Sequence, residues 1–358
     1  MPSAVEWLES LSPWPKDGFG LERMRELLAA LGDPQLAFPS IHVVGTKGKS
    51  TTTRSVEETL LAEGVRAASY TSPHVSGWAE RIRVGGRETP ELERVLDGVR
   101  PQAVAVGATQ FEVLTAAALL AFAEAGVEAA AVEAGLGGRY DATNVLRSPV
   151  QVLTNVGLEH TDVLGETREA IAAEKLAVVQ PESTVLLGEP EWEELARANG
   201  AARVVVETRG NAALAGAAAS AFLGREVEPV EARLPGRLDA HGDEVWDGAH
   251  TPEAVRYVAA RLPEIGAVVA SLLADKDVDG VLAELARLAP AFVATRSTSA
   301  RALSAQELAA RAHGVFEHVE ALDDPRDALR RAHELGEPVL VTGSLYLLAD
   351  LWPSTAHV

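Results

Sequence analysis

Ile41-His42-Val43-Val44-Gly45-Thr46-Lys47-Gly48-Lys49-Ser50 is the stretch on which the fold turns. An apolar run ahead of a Gly-rich turn predicts a buried strand, and the segment from about Ser50 to Glu63, closed by Gly64, predicts a helix. Strand, turn and helix in that order aim backbone N–H groups and a helix N-terminus at anionic oxygens. Gly45, Thr46, Lys47, Gly48, Lys49, Ser50 and Thr51 are therefore read as an ATP phosphate cradle. Lys49 would reach the β- and γ-phosphates, and the hydroxyl of Ser50 or Thr51 would ligate Mg²⁺. Full P-loop spacing puts a glycine at position 43, where this chain has Val43, so the loop is a shortened form. A Gly-rich turn that merely joins strand to helix is the structural alternative.

Working outward, Leu21, Met24, Leu27, Leu28 and Leu31 recur at helical spacing and stop at Gly32-Asp33-Pro34. The apolar stretch 115–131 is broken by Glu124 and Glu128, so it reads as a core helix running into a strand. Strand-like runs at 127–132, 150–156, 184–187 and 204–207 alternate with Ala-rich helical stretches, which predicts a parallel sheet. After Leu234-Pro235-Gly236-Arg237 the pattern restarts, with strands near 267–272, 291–295 and 339–342 and helices near 281–288 and 305–313. The expected fold class is α/β: an N-terminal P-loop-type parallel domain over 1–234 that carries the phosphate turn, and a smaller Rossmann-like domain over 235–358. The tail after Trp352 is expected to fray.

A chain of 358 residues exceeds the usual size of one core, and 47% apolar residues suffice to fill two. The net charge of −20, with no Lys/Arg cluster, argues against nucleic acid as a partner. No stretch reads as a membrane span, and the first residues lack a basic then apolar signal pattern, so a cytoplasmic monomer is expected. Without cysteine, any metal must take O or N ligands.

The shortened loop resembles that of the Mur ligase superfamily. Leu21-Glu22-Arg23, Leu31-Gly32-Asp33-Pro34-Gln35 and the run from Ile41 to Thr46 resemble the opening of the folylpolyglutamate synthase and dihydrofolate synthase family. Gly48-Lys49-Ser50-Thr51 departs from it toward the cell-wall Mur ligases, which leaves open whether Ser50 or Thr51 holds the metal. Thr71-Ser72-Pro73-His74 with Glu80-Arg81-Ile82 is similar to the family segment in which Ser72 helps hold a metal and Ser72, Pro73, His74 and Arg81 face the folate; by itself Ser72-Pro73 is an ordinary turn. Phe111-Glu112 also matches, although Glu112 is equally explained by a helix dipole. The strongest match runs from Glu133 through Gly135, Gly137, Gly138 and Asp141 to Asn144. Glu133 ends an apolar strand, where α/β ligand sites form. The resemblance assigns it to Mg²⁺, and His160 to a second Mg²⁺ site.

It further implies that Lys175, on a helix from about Thr167, is carbamylated by CO₂ and so becomes a metal ligand; the alternative is a surface lysine. Asn211 would contact adenine, or else cap its helix. Arg237 would reach ATP phosphates, Asp247 the ribose and His250 a phosphate, with Thr251 replacing the family's usual Asn. Asp275 and Lys276 would lie near the incoming L-glutamate.

The reaction implied is ATP-driven amide formation: a folate or dihydropteroate carboxylate is phosphorylated, the glutamate amine attacks the acyl phosphate, and phosphate leaves. Lys49, Lys175, His160 and Arg237 would serve catalysis, with ATP and two Mg²⁺ as cofactors. Another Mur-type amino-acid ligase, a P-loop ATPase or nucleotide switch, and a non-catalytic binding protein are the competing readings.

Overall fold

In the computed structural model, which describes residues 2–15 and 18–353, the strand ahead of the Gly-rich turn is β1 (Ser40–Val44), buried at every position. It sits inside an eight-stranded sheet with β2 (Ala67–Tyr70), β3 (Ile82–Val84), β4 (Arg87–Glu88), β5 (Ala129–Glu133), β6 (Val150–Leu153), β7 (Thr184–Leu187) and β8 (Arg203–Val206). The order is β4-β3-β2-β5-β1-β6-β7-β8. The six strands from β2 to β8 in that order are parallel, and their continuous Ala/Val/Leu runs suit burial on both faces.

The expected all-parallel sheet is corrected at one edge. β3 returns antiparallel on β2, and β4 antiparallel on β3. Gly85 and Gly86 make the turn between them, both at positive φ (60° and 77°), as a two-residue hairpin demands. The 115–131 stretch divides as expected, into a helix (Gln110–Glu124) and β5. That helix opens with a capping box between Thr109 and Glu112, and the Glu112 carboxylate also pairs with Arg23 at 2.8 Å.

The second sheet holds β9 (Asp239–His241), β10 (Glu244–Trp246), β11 (Ala267–Ala270), β12 (Ala291–Ala294), β13 (His318–Ala321) and β14 (Val339–Thr342), in the order β13-β12-β11-β14-β10-β9. Only the β9–β10 pair is antiparallel. Its core gathers Val268, Ala270, Phe292 and Leu340, with Phe292 stacked on Phe316 at 4.7 Å.

Two compact units result: Met1–Pro73 with Trp78–Ala232, and His74–Gly77 with Arg233–Val358. The chain thus leaves the first unit for four residues and returns. Among the described residues no helix is long and apolar enough to cross a membrane. The expected fraying beyond Trp352 concerns mainly 354–358, which lie outside the described residues.

Candidate active site

Strand order makes the site. β5 and β6 are consecutive in sequence yet flank β1 on opposite sides, so the loops leaving β1, β5 and β6 converge at their carboxyl ends. The turn after β1 is fastened from behind by the loop after β6. Lys47 O accepts from Thr154 Oγ1 (2.7 Å) and Asn155 Nδ2 (2.8 Å), Lys47 N donates to Asn155 Oδ1 (3.0 Å), and Gly157 N donates to Thr46 Oγ1 (2.9 Å). Gly45 adopts φ 151°, and a Cβ there would run into the Thr154 hydroxyl.

The helix Lys49–Ala62 then begins from Gly48, which lies in the left-handed region (φ 79°) and provides no side-chain cap. Its first N–H groups are a ready anion site. Lys49 Nζ folds back to Thr46 O at 3.4 Å. Asn211 does not cap its helix, because Gly210 holds the N-cap position. Its amide instead lies against the phosphate turn: a Cβ at Gly48 would sit 2.7 Å from Asn211 Oδ1. Gly48→Ala is therefore expected to cost about 1–2 kcal/mol for the left-handed backbone and to displace Asn211. The measurable result is a weaker nucleotide affinity with a modest fall in melting temperature; unchanged ADP affinity by calorimetry would contradict this placement.

Three of the residues expected at a metal meet at the start of this helix. Ser50 Oγ donates to Glu133 Oε1 (3.1 Å) and lies 3.5 Å from Ser72 O, and Ser72 N donates to Glu133 Oε2 (3.0 Å). Glu133 is 1% exposed at the end of β5. Hydroxyl and carboxylate oxygens at a helix N-terminus suit a hard divalent cation that shares its shell with phosphate. Among the described residues no group of three His, Asp or Glu side chains is placed to hold a metal without such help. His160 is exposed, in the left-handed region (φ 52°) ahead of a single short helical turn, Thr161–Leu164.

Lys175 is not a surface lysine. It is 4% exposed, and its Nζ donates to Gly45 O at 2.8 Å, directly beneath the phosphate turn. Burial, reinforced by the positive charge of Lys49, pulls its amine down to about 7, against smaller opposing effects of Glu159 and Asp141. The helix carrying it, Arg168–Leu176, approaches the Gly-rich loop so closely that a Cβ at Gly138 would fall 2.6 Å from Lys175 O. That loop is braced from the sheet. Asp141 accepts from Leu136 N (2.8 Å), Thr143 N (3.0 Å) and the Thr143 hydroxyl, and Thr143 Oγ1 lies 2.8 Å from His42 Nε2. Since the Thr143 hydrogen goes to Asp141, His42 Nε2 carries the hydrogen in its bond. Burial holds this imidazole down at about 4, so it stays neutral.

Of the expected folate residues, Ser72 and Pro73 end the first stay of the chain in the first unit, His74 groups with the second unit, and Arg81 is back in the first. The Arg81 guanidinium lies over the Trp78 ring at 4.7 Å.

Within the second unit, Arg237 Nη1 donates to Gly236 O (3.0 Å), and its guanidinium would meet a Cβ at Gly248 at 2.9 Å. Asp247 is buried, which pushes its carboxyl up, and it accepts from Leu238 N (2.8 Å) and Ala249 N (2.9 Å). It thereby ties the Arg237 turn to the loop of His250, whose Nδ1 lies 2.9 Å from Gly248 O. Thr251 N-caps the helix Pro252–Ala259. Asp275 stands 3.7 Å from Lys276 Nζ and 3.4 Å from Arg301 Nη1.

Two domain families match the chain: the Mur ligase middle domain over residues 43–222, and the Mur ligase glutamate ligase domain over 236–345. The dihydrofolate synthase/folylpolyglutamate synthase of Escherichia coli K12 is 31% identical over 98% of this chain and 94% of its own. This chain belongs to that family. Escherichia coli FolC, solved in complex with DHPP and ADP, superposes with a TM-score of 0.86 at 30% identity, covering 98% of this chain and 97% of that one. The Yersinia pestis bifunctional folylpolyglutamate synthase/dihydrofolate synthase, complexed with AMPPNP and a Mn ion, gives 0.85 at 28% identity, covering 98% and 97%. As a Mur ligase of the folylpolyglutamate synthase family, the chain is an ATP-dependent ligase.

The sequence motifs assign no role to Thr154 and Asn155, which lock the phosphate turn, or to His42 and Asp141, which brace the Gly-rich loop, although Asp141 lies within the matched run from Glu133 to Asn144. Thr154-Asn155 follows an apolar strand directly, which is the available signal for a loop at the same sheet edge. Arg301 beside Asp275 had no sequence signal, being 26 positions away.

Proposed function

We propose that the protein joins L-glutamate to a carboxylate of dihydropteroate or a reduced folate, with Lys49, Ser50, Glu133 and Lys175 serving the reacting phosphate, Arg237, Asp247 and His250 serving ATP, and Asp275 and Lys276 serving glutamate. The observation that carries this reading is the meeting of Ser50, Ser72 and Glu133 at the uncapped start of the Lys49 helix, above a buried Lys175. A substrate carboxylate oxygen attacks the γ-phosphorus and ADP leaves. The glutamate amine then attacks the acyl carbon, loses a proton, and phosphate departs to leave the amide. Lys49 and Arg237 oppose the charge that develops on the transferring phosphoryl oxygens. Mg²⁺, held through Ser50 or Thr51, Ser72 and Glu133, and in a second site through His160, would supply further neutralisation.

Lys175 has its place in this scheme as a carbamate. An amine pulled to about 7 is substantially neutral at neutral pH, so its lone pair can attack CO₂ and release a proton to give an anionic N-carboxylate. As an ammonium it would repel a cation; as a carbamate it would attract one. Asn211 beside Gly48 fits an adenine contact, and Ser72, Pro73, His74 and Arg81 the folate.

Phosphate release is the test, measured with ATP and Mg²⁺ against dihydropteroate, a reduced folate or neither, each with and without L-glutamate. Turnover that needs both the pterin and glutamate is expected. Turnover on dihydropteroate alone, on reduced folate alone, or on both sorts the protein into dihydrofolate synthase, folylpolyglutamate synthase or bifunctional enzyme. Phosphate release indifferent to glutamate would overturn the ligase reading.

A further inference from the structure

The helix that starts at the phosphate turn also grips the segment 71–81, and it does so at both ends. Ser50 and Arg54 lie one turn apart on the same face of that helix. Ser50 Oγ reaches Ser72 O at 3.5 Å, on the outgoing side of the excursion, while Arg54 Nη2 donates to Glu80 O on the returning side. The neck is closed by Thr71 N donating to Arg81 O at 3.0 Å. The segment is thus a closed loop on two side-chain stems, and Arg81 follows the second of them.

Arg54 is a costly way to make that stem. It is 4% exposed, and among the described residues its Nε and Nη1 have no hydrogen-bond partner. Its neighbour Glu57 is fully buried but spoken for by β2 and the β3–β4 hairpin. Glu57 accepts from Ser69 Oγ (2.6 Å), Arg83 Nε (3.1 Å) and Gly86 N (3.2 Å), and stands 3.9 Å from Arg54 Nη1. Burial, and after it the charge of Arg83, lowers the guanidinium to about 10, which still leaves it charged at neutral pH. A buried ion whose donors are mostly unfilled adds little to stability, and an apolar side chain of similar volume would do as well. Its contribution is to geometry.

We propose that Arg54 is a positioning residue for the folate substrate: by holding Glu80, next to the Thr71–Arg81 bond, it sets Ser72, Pro73 and Arg81 at a fixed place relative to the phosphate turn. This rests on the assignment of that loop to the folate. Nucleotide binding, by contrast, is assigned to Gly45 to Thr51 with Asn211, Arg237, Asp247 and His250, whereas the Arg54 side chain reaches Glu80 O and Glu57, so the two substrates part company when Arg54 is replaced.

The experiment takes steady-state kinetics on the full-length protein. The wild type is assayed first with a reduced folate and dihydropteroate; if neither supports glutamate-dependent turnover, the functional reading fails, independently of Arg54. Given turnover, Arg54→Met is expected to raise KM for the pterin substrate about tenfold while KM for ATP stays within about twofold, and Arg54→Lys, which keeps a donor, to restore most of the difference. Ser55→Ala is the comparator. It loses the bond that Ser55 Oγ accepts from Ala232 N (3.1 Å) on the same helix, so it is expected to lower the melting temperature without separating the two KM values. A folded Arg54→Met with both KM values unchanged, or with both raised together, overturns the proposal. Should Arg54→Met not fold, Arg54→Gln carries the same readout; failure of both to fold makes Arg54 a structural residue and also overturns it.

Discussion

Lys49→Ala is expected to leave a folded protein whose amide-forming rate is lower by about a thousandfold or more, the scale on which positioned cations act in phosphoryl transfer. Folding survives because the Lys49 ammonium makes only a long 3.4 Å bond to Thr46 O, and alanine starts a helix at least as well. The loss has two parts. One is the missing charge on the phosphate oxygens. The other reaches Lys175, whose amine is held low partly by Lys49; without that neighbour the amine moves back up, and less of it is neutral enough to take CO₂. Glutamate-dependent phosphate release and a thermal melt, measured together, check this. Turnover near the wild-type rate would sink the assignment.

Lys175→Met should lose ligation by on the order of a hundredfold or more while keeping ADP affinity, because methionine fills the volume but cannot become an anion. In the wild type, stripping CO₂ and bicarbonate from the buffer should depress activity, and lowering the pH through about 7 should slow its recovery, since protonation removes the attacking lone pair. Labelled bicarbonate should yield a carbamate resonance in the wild type and none in the variant. Activity indifferent to CO₂ would exclude the carbamate.

The same residue fixes the sign of a stability effect. For the unmodified amine, the folded value near 7 lies below the ordinary lysine value, so between the two the unfolded chain binds more protons. Folding stability should therefore rise with pH across that window, and Lys175→Met should flatten the rise. Denaturant melts across that window, with CO₂ excluded, measure it.

How far the sequence went can be seen strand by strand. β7 and β14 coincide with their expected runs because each is a short apolar block bounded by turn residues, and β1 differs by one residue. The phosphate turn and the strand-end Glu133 were legible for the same reason: local pattern alone places them at the carboxyl edge of the sheet. The β3–β4 hairpin was not, although Gly85-Gly86 marks its turn, because strands of three and two residues carry too few alternations to register. β9, β10 and β13 were missed similarly; Glu320 interrupts β13 and is held by Arg331 of the helix that follows, while Glu244 opens β10 and is held by His333 of that same helix. Lys175 exposes the deeper limit. Nothing in Ala173-Glu174-Lys175 tells a surface lysine from one sealed under Gly45 O, since its burial depends on contacts 130 positions away.

The brief excursion His74–Gly77 bears on whether this ligase can be taken apart. Val75, 5% exposed, packs in the apolar cluster of the second unit with Trp246, Leu347 and Leu348, close enough that a Cβ at Gly236 would touch it at 3.2 Å. A fragment cut at the 232/233 junction would thus carry a hole where an essential plug belongs, and the remainder would display a valine with no home. Neither half is a self-sufficient cassette. Swapping the glutamate-ligase half between relatives would require transplanting a tetrapeptide from the middle of the other half along with it.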